Sequence, residues 1–249
     1  GVNWRIAPLV SAYASVSRSF ETPTTTELAN QPDGSGGLNR ELEPQRGTTY
    51  EAGLKGVLGG TLRYDLAVFR VETKDELIPF EVPDGSGRRF FRNAGQTRRT
   101  GAEVGLSGAV GPLSLGGSAT WLRYKYDEFT VEGVDLSGNR VPGVAPAEVS
   151  AYATLRPSWG LLAVEAQRMG KMPTDDANQN YADAYTLVHV RAGFNLPTRL
   201  GVEPMIGIDN VFDETYAANV VANASNGRFF EPGPGRVFWV GLRLSTRGR

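Results

Sequence analysis

Apolar and polar residues alternate with a period of two along most of this chain. Tyr50, Ala52, Leu54 and Leu58 share one parity, and Thr49, Glu51, Gly53 and Lys55 take the other. Leu113, Leu115, Ala119 and Trp121 alternate in the same way with Ser114, Gly116, Ser118 and Thr120, and the pattern returns over 149–155, 188–194, 202–209 and 238–244. Such alternation predicts strands with one apolar face and one polar or small face. Ten strands are predicted, over 7–18, 48–57, 61–73, 92–107, 112–126, 147–156, 160–169, 184–195, 200–210 and 236–245. The phase of the 61–73 strand changes near Phe69 and Val71, which predicts a bulge there.

The connections alternate too. Short turns fall at 57–60, 109–111, 157–159 and 196–199, and long polar segments at 19–47, 74–91, 127–146, 170–183 and 211–235. The pentapeptide Pro-Asp-Gly-Ser-Gly occurs at 32–36 and again at 83–87, as turn chemistry in which glycine supplies positive φ. A transmembrane barrel collects short turns on one side and long loops on the other, with strands alternating lipid-facing and lumen-facing residues. Trp4, Trp121, Tyr124, Tyr126, Trp159, Tyr185 and Phe212, near strand ends, fit interfacial girdles. A soluble β-sandwich is the competing fold.

Composition narrows the chemistry. With 26 basic against 27 acidic residues in 249, the chain has no broad positive field for nucleic acid. It has no cysteine and one histidine, so thiolate catalysis and Cys- or multi-His-ligated zinc are absent from it. No run approaches the roughly 18 apolar residues of a membrane helix. The chain opens at Gly1-Val2-Asn3-Trp4 without an initiator Met, as a mature protein, a domain or a fragment would. A Ser-His-Asp triad would need His189, which sits beside Arg191 on a polar strand face and reads as a lumenal residue. Asp176-Ala177-Asn178-Gln179-Asn180 opens like an EF-hand loop, but Tyr181 and Leu187 occupy the positions of its glycine and its closing acid. Gly34-Ser35-Gly36-Gly37 lacks the strand–helix context of a phosphate loop, and Asn223-Ala224-Ser225 is a formal sequon without meaning in a bacterial envelope.

Several short passages, in order, resemble one family. Asn210-Val211-Phe212-Asp213-Glu214-Thr215-Tyr216, then Pro232-Gly233-Pro234-Gly235-Arg236 and the strand from Val237 to Leu244, resemble the closing passage of the β-barrel of TonB-dependent outer-membrane receptors. The segment from Tyr13 to Pro23 with Glu27-Leu28 is similar to an upstream stretch of that barrel. So are Leu42-Glu43-Pro44-Gln45 with Tyr50 to Lys55, Asn93 to Thr97 with Gly101-Ala102-Glu103, and Gly138 to Val144. Pro44 and Pro142 stand where loops re-enter strands and need no ladder donor. Gly53 and Gly101 permit close approach in the wall, and Asn210 and Asp213 can satisfy backbone donors where a strand ends. Family members usually finish on an aromatic residue, whereas this chain ends Leu244-Ser245-Thr246-Arg247-Gly248-Arg249.

The resemblance implies an all-β, antiparallel transmembrane barrel meander, the C-terminal portion of a wall of roughly 22 strands around a plug. Residues 1–249 are then a partial barrel domain, with the plug and the N-terminal strands elsewhere. The strands over 7–18 and 236–245 are expected to be its exposed edges. The implied function is active import of a bulky, scarce nutrient, a ferric siderophore above all, with TonB acting through the missing N-terminal region. Outer-membrane lipid and lipopolysaccharide are the surroundings, and no cofactor, metal or catalytic residue is expected. Arg88, Arg89, Phe90, Phe91 and Arg92, with Arg98 and Arg99, form a basic-aromatic cluster on one long loop, suited to the oxygens of an anionic chelate. Arg228, Phe229 and Phe230 form a second. The rivals are a complete ten-stranded outer-membrane enzyme, a protease or lipid hydrolase, and a soluble sandwich that acts as a binding module.

Overall fold

The computed structural model describes residues 1–29, 31, 33, 36–82, 88–196 and 201–245. Most of the 32–36 pentapeptide, the whole of its 83–87 copy, the turn residues 197–199 and the tail 246–249 lie outside the described residues. Eleven antiparallel strands form one sheet, each paired with the next in the chain: β1 (Val2–Ala7), β2 (Val10–Glu21), β3 (Gln45–Leu58), β4 (Leu62–Glu81), β5 (Arg89–Val110), β6 (Leu113–Glu128), β7 (Ala147–Leu155), β8 (Gly160–Met169), β9 (Tyr185–Phe194), β10 (Gly201–Asp209) and β11 (Val237–Ser245). Short turns and long loops alternate between the two rims, as the sequence predicts. A single meander replaces the sandwich option, since no second large sheet faces it among the described residues.

Ten predicted strands become eleven because β1, over residues 2–7 and ahead of the predicted 7–18 strand, is an additional one. Val2, Trp4 and Ile6 alternate with Asn3 and Arg5 in β1, and the chain reverses at Pro8-Leu9 so that Ala7 pairs with Val10. That turn carries none of the Asn-Gly or Asp-Gly signals that mark tight hairpins in a sequence. The unpaired edges are therefore β1 and β11. Val240 on β11 is 84% exposed, an apolar row that would need a neighbouring wall in lipid.

The expected bulge at Phe69 is also corrected. Pairing of β4 with β3 runs unbroken from Leu58↔Leu62 to Arg46↔Lys74. What changes at Phe69 is the surroundings. Leu62, Leu66 and Val68 face outward with Leu54, Val104 and Leu106, and the next outward residues on β4 are Arg70, Glu72 and Lys74. On β6 the outward row passes from Ala119 and Trp121 to Arg123 and Lys125. The outer face thus turns polar at one level on neighbouring strands, which marks the upper limit of the hydrocarbon band. The true irregularity lies higher: Asp75 has φ 56° and drops out of the register between Lys74↔Gln96 and Glu76↔Ala94.

Above that level β4 continues to Glu81, eight residues past the predicted 61–73, and β5 begins at Arg89, three residues before the predicted 92–107. Their lengths, 20 and 22 residues, are about twice the 9–11 that a tilted strand needs to span a bilayer. The inner face is polar and crowded. Each of four lumenal aromatics, Tyr13, Phe69, Tyr152 and Trp239, lies opposite a glycine: Gly53, Gly101, Gly116 and Gly207. A Cβ on Gly101 would meet the Phe69 ring at 2.5 Å, so the missing side chain is what lets the ring lie across the neighbouring strand. His189 contacts Asp209 at 3.0 Å and Arg191 pairs with Glu165 at 3.2 Å, so both residues have acidic partners on the lumenal face.

Candidate ligand-binding surface

The buried core is not in the membrane band but at the long-loop rim. Ile78, Ala94, Tyr124, Tyr126, Phe129 and Val141 pack together there, flanked by Leu122, Val131, Leu136 and Val144. The apolar face of the β4–β5–β6 extension supplies one side, and the 127–146 loop, with its small ribbon Thr130–Val131 and Val134–Asp135, supplies the other.

Two further loops are tied to this core by polar contacts. Asp176, from the 170–184 loop, is 5% exposed. Its Oδ1 accepts from the Tyr126 hydroxyl at 2.6 Å and from Asn223 Nδ2 at 3.1 Å. Its amide donates to Asn223 Oδ1 at 2.9 Å. Burial pushes the Asp176 carboxyl above its ordinary range, partly offset by these bonds and by the Arg92 charge. Asn223 lies at φ 54° and also donates to Pro79 O at 3.0 Å, while its carbonyl accepts from the Glu81 amide at 3.3 Å. It therefore covers the part of the β4 edge that rises above β3, where ladder groups would otherwise stand unpaired. One level down, Glu76 accepts from the hydroxyls of Tyr124 and Thr97.

The predicted basic-aromatic residues divide among these contacts. Phe90 is 3% exposed and packs against Phe80, with ring centroids 5.9 Å apart, and Arg88 lies 5.7 Å over the Phe90 ring. Arg92 is turned into the core, stacked 4.1 Å over Phe80 and 6.0 Å from Phe129. Burial pulls its guanidinium below its ordinary value, and Asp176 acts in the opposite sense. Arg89 pairs in register with Glu81, and Phe91 with Pro79. Arg228 donates to Glu81 at 3.1 Å, beside the Ser225 amide and hydroxyl on the same oxygen, and Phe229 and Phe230 meet edge to face at 6.1 Å. Glu81 thus brings Arg228 to the register partner of Arg89, from segments that the sequence places far apart. Arg98 and Arg99 do not join them: Arg98 is on the outer face, bonded to Asp127 at 2.7 Å, and Arg99 stacks 4.3 Å over Tyr124. Arg88 and Arg89 are exposed at the tip.

The Asp176–Tyr126–Asn223 hub was not legible as a site. Its residues show instead as an EF-hand opening, a girdle aromatic and a sequon. In the structure Asn178 carries φ 56° and donates to Arg140 O at 2.8 Å, while Asp175 accepts from the Gln179 and Asn180 amides. These are turn bonds, and no group of three or more metal-capable side chains occurs among the described residues.

The closing motif is a clamp on the loop between β10 and β11. Asn210 is 3% exposed at φ 51°, a conformation asparagine tolerates better than most residues. Its Oδ1 accepts from the Glu214 amide at 2.8 Å and its Nδ2 donates to Glu214 O and Pro234 O. Asp213 Oδ1 accepts from the Arg236 amide at 2.7 Å, and the Gly233 amide donates to Tyr216 O at 2.9 Å. The Tyr216 ring lies over Gly233 and 4.8 Å from the Tyr185 ring, so Gly233 presents backbone alone to it. Phe212 is exposed. Asn210→Ala, losing three bonds and a tolerated left-handed backbone, is expected to cost about 3 kcal/mol of local stability. Asn210→Gly should recover only the backbone part, and protease cleavage within 211–235 of the complete protein measures both.

Comparison with known proteins accounts for the meander and its rims. The sequence profile described as TonB dependent receptor-like, beta-barrel matches residues 1–221. The chain is 27% identical over 231 residues to the vitamin B12 transporter BtuB of Photobacterium profundum, covering 91% of this chain and 35% of that protein. Among solved structures, the siderophore receptor PiuA from Acinetobacter baumannii matches at a TM-score of 0.75 and 20% identity, over 96% of this chain and 34% of that one. The ferric yersiniabactin uptake receptor FyuA from Yersinia pestis matches at 0.73 and 19%, over 97% and 36%. The chain therefore spans about a third of the length of the proteins it resembles. The short-turn rim and the outward apolar band are those of an outer-membrane barrel wall, and the chain belongs to the TonB-dependent receptor β-barrel family.

Proposed function

We propose that residues 1–249 are the C-terminal part of the barrel of an active-transport receptor, whose plug, remaining strands and TonB-contacting segment lie elsewhere in a longer protein. The cargo in this reading is a ferric siderophore, captured without covalent chemistry at the long-loop rim. The observation that carries it is the exposed cationic tip of Arg88 and Arg89, with Arg88 over the buried Phe90 ring, beside Arg228, which donates to Glu81, the register partner of Arg89. Guanidinium forks suit carboxylate or catecholate oxygens of a chelate. Arg92 supports the tip from within.

In the complete receptor, Arg88→Gln with Arg89→Gln is expected to lower uptake of a radiolabelled ferric catecholate roughly tenfold at limiting concentration, with uptake at saturation little changed. Unchanged uptake at limiting ligand would remove the tip from ligand capture. A corrinoid is the second reading, favoured by the match to the B12 transporter over most of this chain. Uptake of cyanocobalamin without uptake of any ferric chelate would decide for it.

A further inference from the structure

The lumenal face of the wall holds a cationic trough near the short turns, far from the long-loop rim. Register sets Lys55, Asp65, Gly105, Ser118, Ser150 and Gln167 in one row across β3 to β8. The next row toward the short turns carries Arg63, Ser107, Gly116, Tyr152, Glu165 and His189 across β4 to β9. Lys55, Arg63, Asp65, Ser107, Ser118 and Ser150 line a cavity of about 680 Å³, a volume in the range of small-molecule sites. Ser150 and Tyr152 also line a second cavity of about 290 Å³, which continues past Glu165 and Gln167 to His189. The two cavities share a wall and form one trough.

The floor of this trough differs from the rest of the lumen. Gly53, Gly101, Gly116 and Gly207 each lie under an aromatic ring, whereas a Cβ on Gly105 would meet only Asp65, no closer than 3.8 Å. Glycine at 105 therefore accommodates no ring, and with three serines beside it the space stays open. Lys55 and Arg63 are exposed and form no ion pair among the described residues, although Asp65 stands opposite Lys55 in register. At the other end the acids are held, Glu165 by Arg191 and Asp209 by His189. Two cations thus face one carboxylate at the β3–β4 end. They lie level with Leu54, Leu62 and Leu66 of the outer face, inside the hydrocarbon band. Ionisable side chains at membrane depth that face a wet interior mark solute pathways, and lumenal groups set the selectivity of a barrel. Cations among hydroxyls suit a solute with several anionic oxygens, two of which a guanidinium takes in parallel.

We propose that this trough is a second station on the import route, where Lys55 and Arg63 receive the anionic cargo after it leaves the rim and before it passes the short turns. The station rests on the reading of the cargo as a ferric chelate. The test uses the complete receptor in cells, with a radiolabelled ferric catecholate as the probe. Surface binding is measured after an uncoupler has collapsed the proton gradient, and uptake is measured at saturating ligand in energised cells. Lys55→Gln with Arg63→Gln is expected to leave surface binding unchanged and to slow saturated uptake about tenfold. Gly105→Phe, which fills the trough and removes no charge, should do the same. Lys55→Arg with Arg63→Lys should keep most of the rate, because it preserves the charge. Heat-modifiable migration and retained surface binding show that each variant is folded. Saturated uptake unchanged in the Gln variant overturns the station and leaves the rim reading intact, whether or not Gly105→Phe slows transport by bulk alone. Absence of ferric catecholate binding to the unaltered receptor removes the rim reading and the station with it.

Discussion

Leu66→Arg in the complete receptor is expected to impair folding into the membrane, at a cost of about 2–4 kcal/mol. Leu66 lies midway along the outward apolar row of β4, between Leu62 at the short turn and Arg70 at the polar boundary, and it pairs with Leu54 and Val104 on the same face. A guanidinium there has no lumen to enter and must reach for an interface from the middle of the band. Thr100→Arg places the same group two strand steps higher, in the row of Arg70 and Arg123. There the expected cost falls to about 0–1 kcal/mol. The unfolding midpoint in urea, with lipid present, measures the difference. If the two variants are equally stable, the boundary has been drawn at the wrong level.

Tyr126→Ala is expected to open the loop assembly without unfolding the wall. Tyr126 has no exposed surface, contacts Phe129 with ring centroids 4.4 Å apart and donates to Asp176. Loss of a buried aromatic of this size costs about 4 kcal/mol, close to a thousandfold in the opening equilibrium. Tyr126→Phe keeps the ring and leaves Asp176 short of one donor, a loss of about 1–2 kcal/mol. Hydrogen exchange of amides in 127–146 and 170–184, corrected for intrinsic rates, should rank the variants in that order while β7 to β9 stay protected.

The same hub gives a pH dependence with a definite sign. Burial raises the Asp176 carboxyl, so the folded loops hold that proton more tightly than the unfolded chain does. The contribution is complete below the ordinary carboxylate value and is lost as pH rises through the raised one. Protection of the 170–184 loop should therefore be greater at acidic than at neutral pH. Asp176→Asn, which keeps an acceptor for both donors, should flatten the profile. A profile that persists in this variant would point to another group.

What could be read from the residues alone followed the reach of each signal. Period-two alternation needs only neighbours along the chain, so nearly every strand and both faces of the sheet were legible. The exceptions are local and physical. β1 was missed because it is short and Pro8-Leu9 turns the chain without glycine or asparagine. The part of β4 beyond residue 73 was missed because the alternation there no longer separates lipid from lumen. The closing clamp was legible as a motif, since Asn210, Asp213 and Gly233 serve contacts within one loop and its flanks.

The arginines were legible as a cluster but not as an arrangement. Residues 88 to 99 are adjacent in sequence, yet on a strand their side chains alternate and climb. Arg92 therefore enters the core, Arg98 the outer face, and Arg88 remains at the tip. The partners that fix them come from far along the chain: Arg228 meets Glu81 across 147 residues, and Tyr126 meets Asp176 across 50. Alternation and turn composition by themselves determined an antiparallel wall with one lipid face and one loop rim, because each strand's exposure is written every second residue. Only the tertiary structure decided which loops converge, which cations are buried and which face the membrane, because those outcomes depend on strand register and on long loops closing over a shared core.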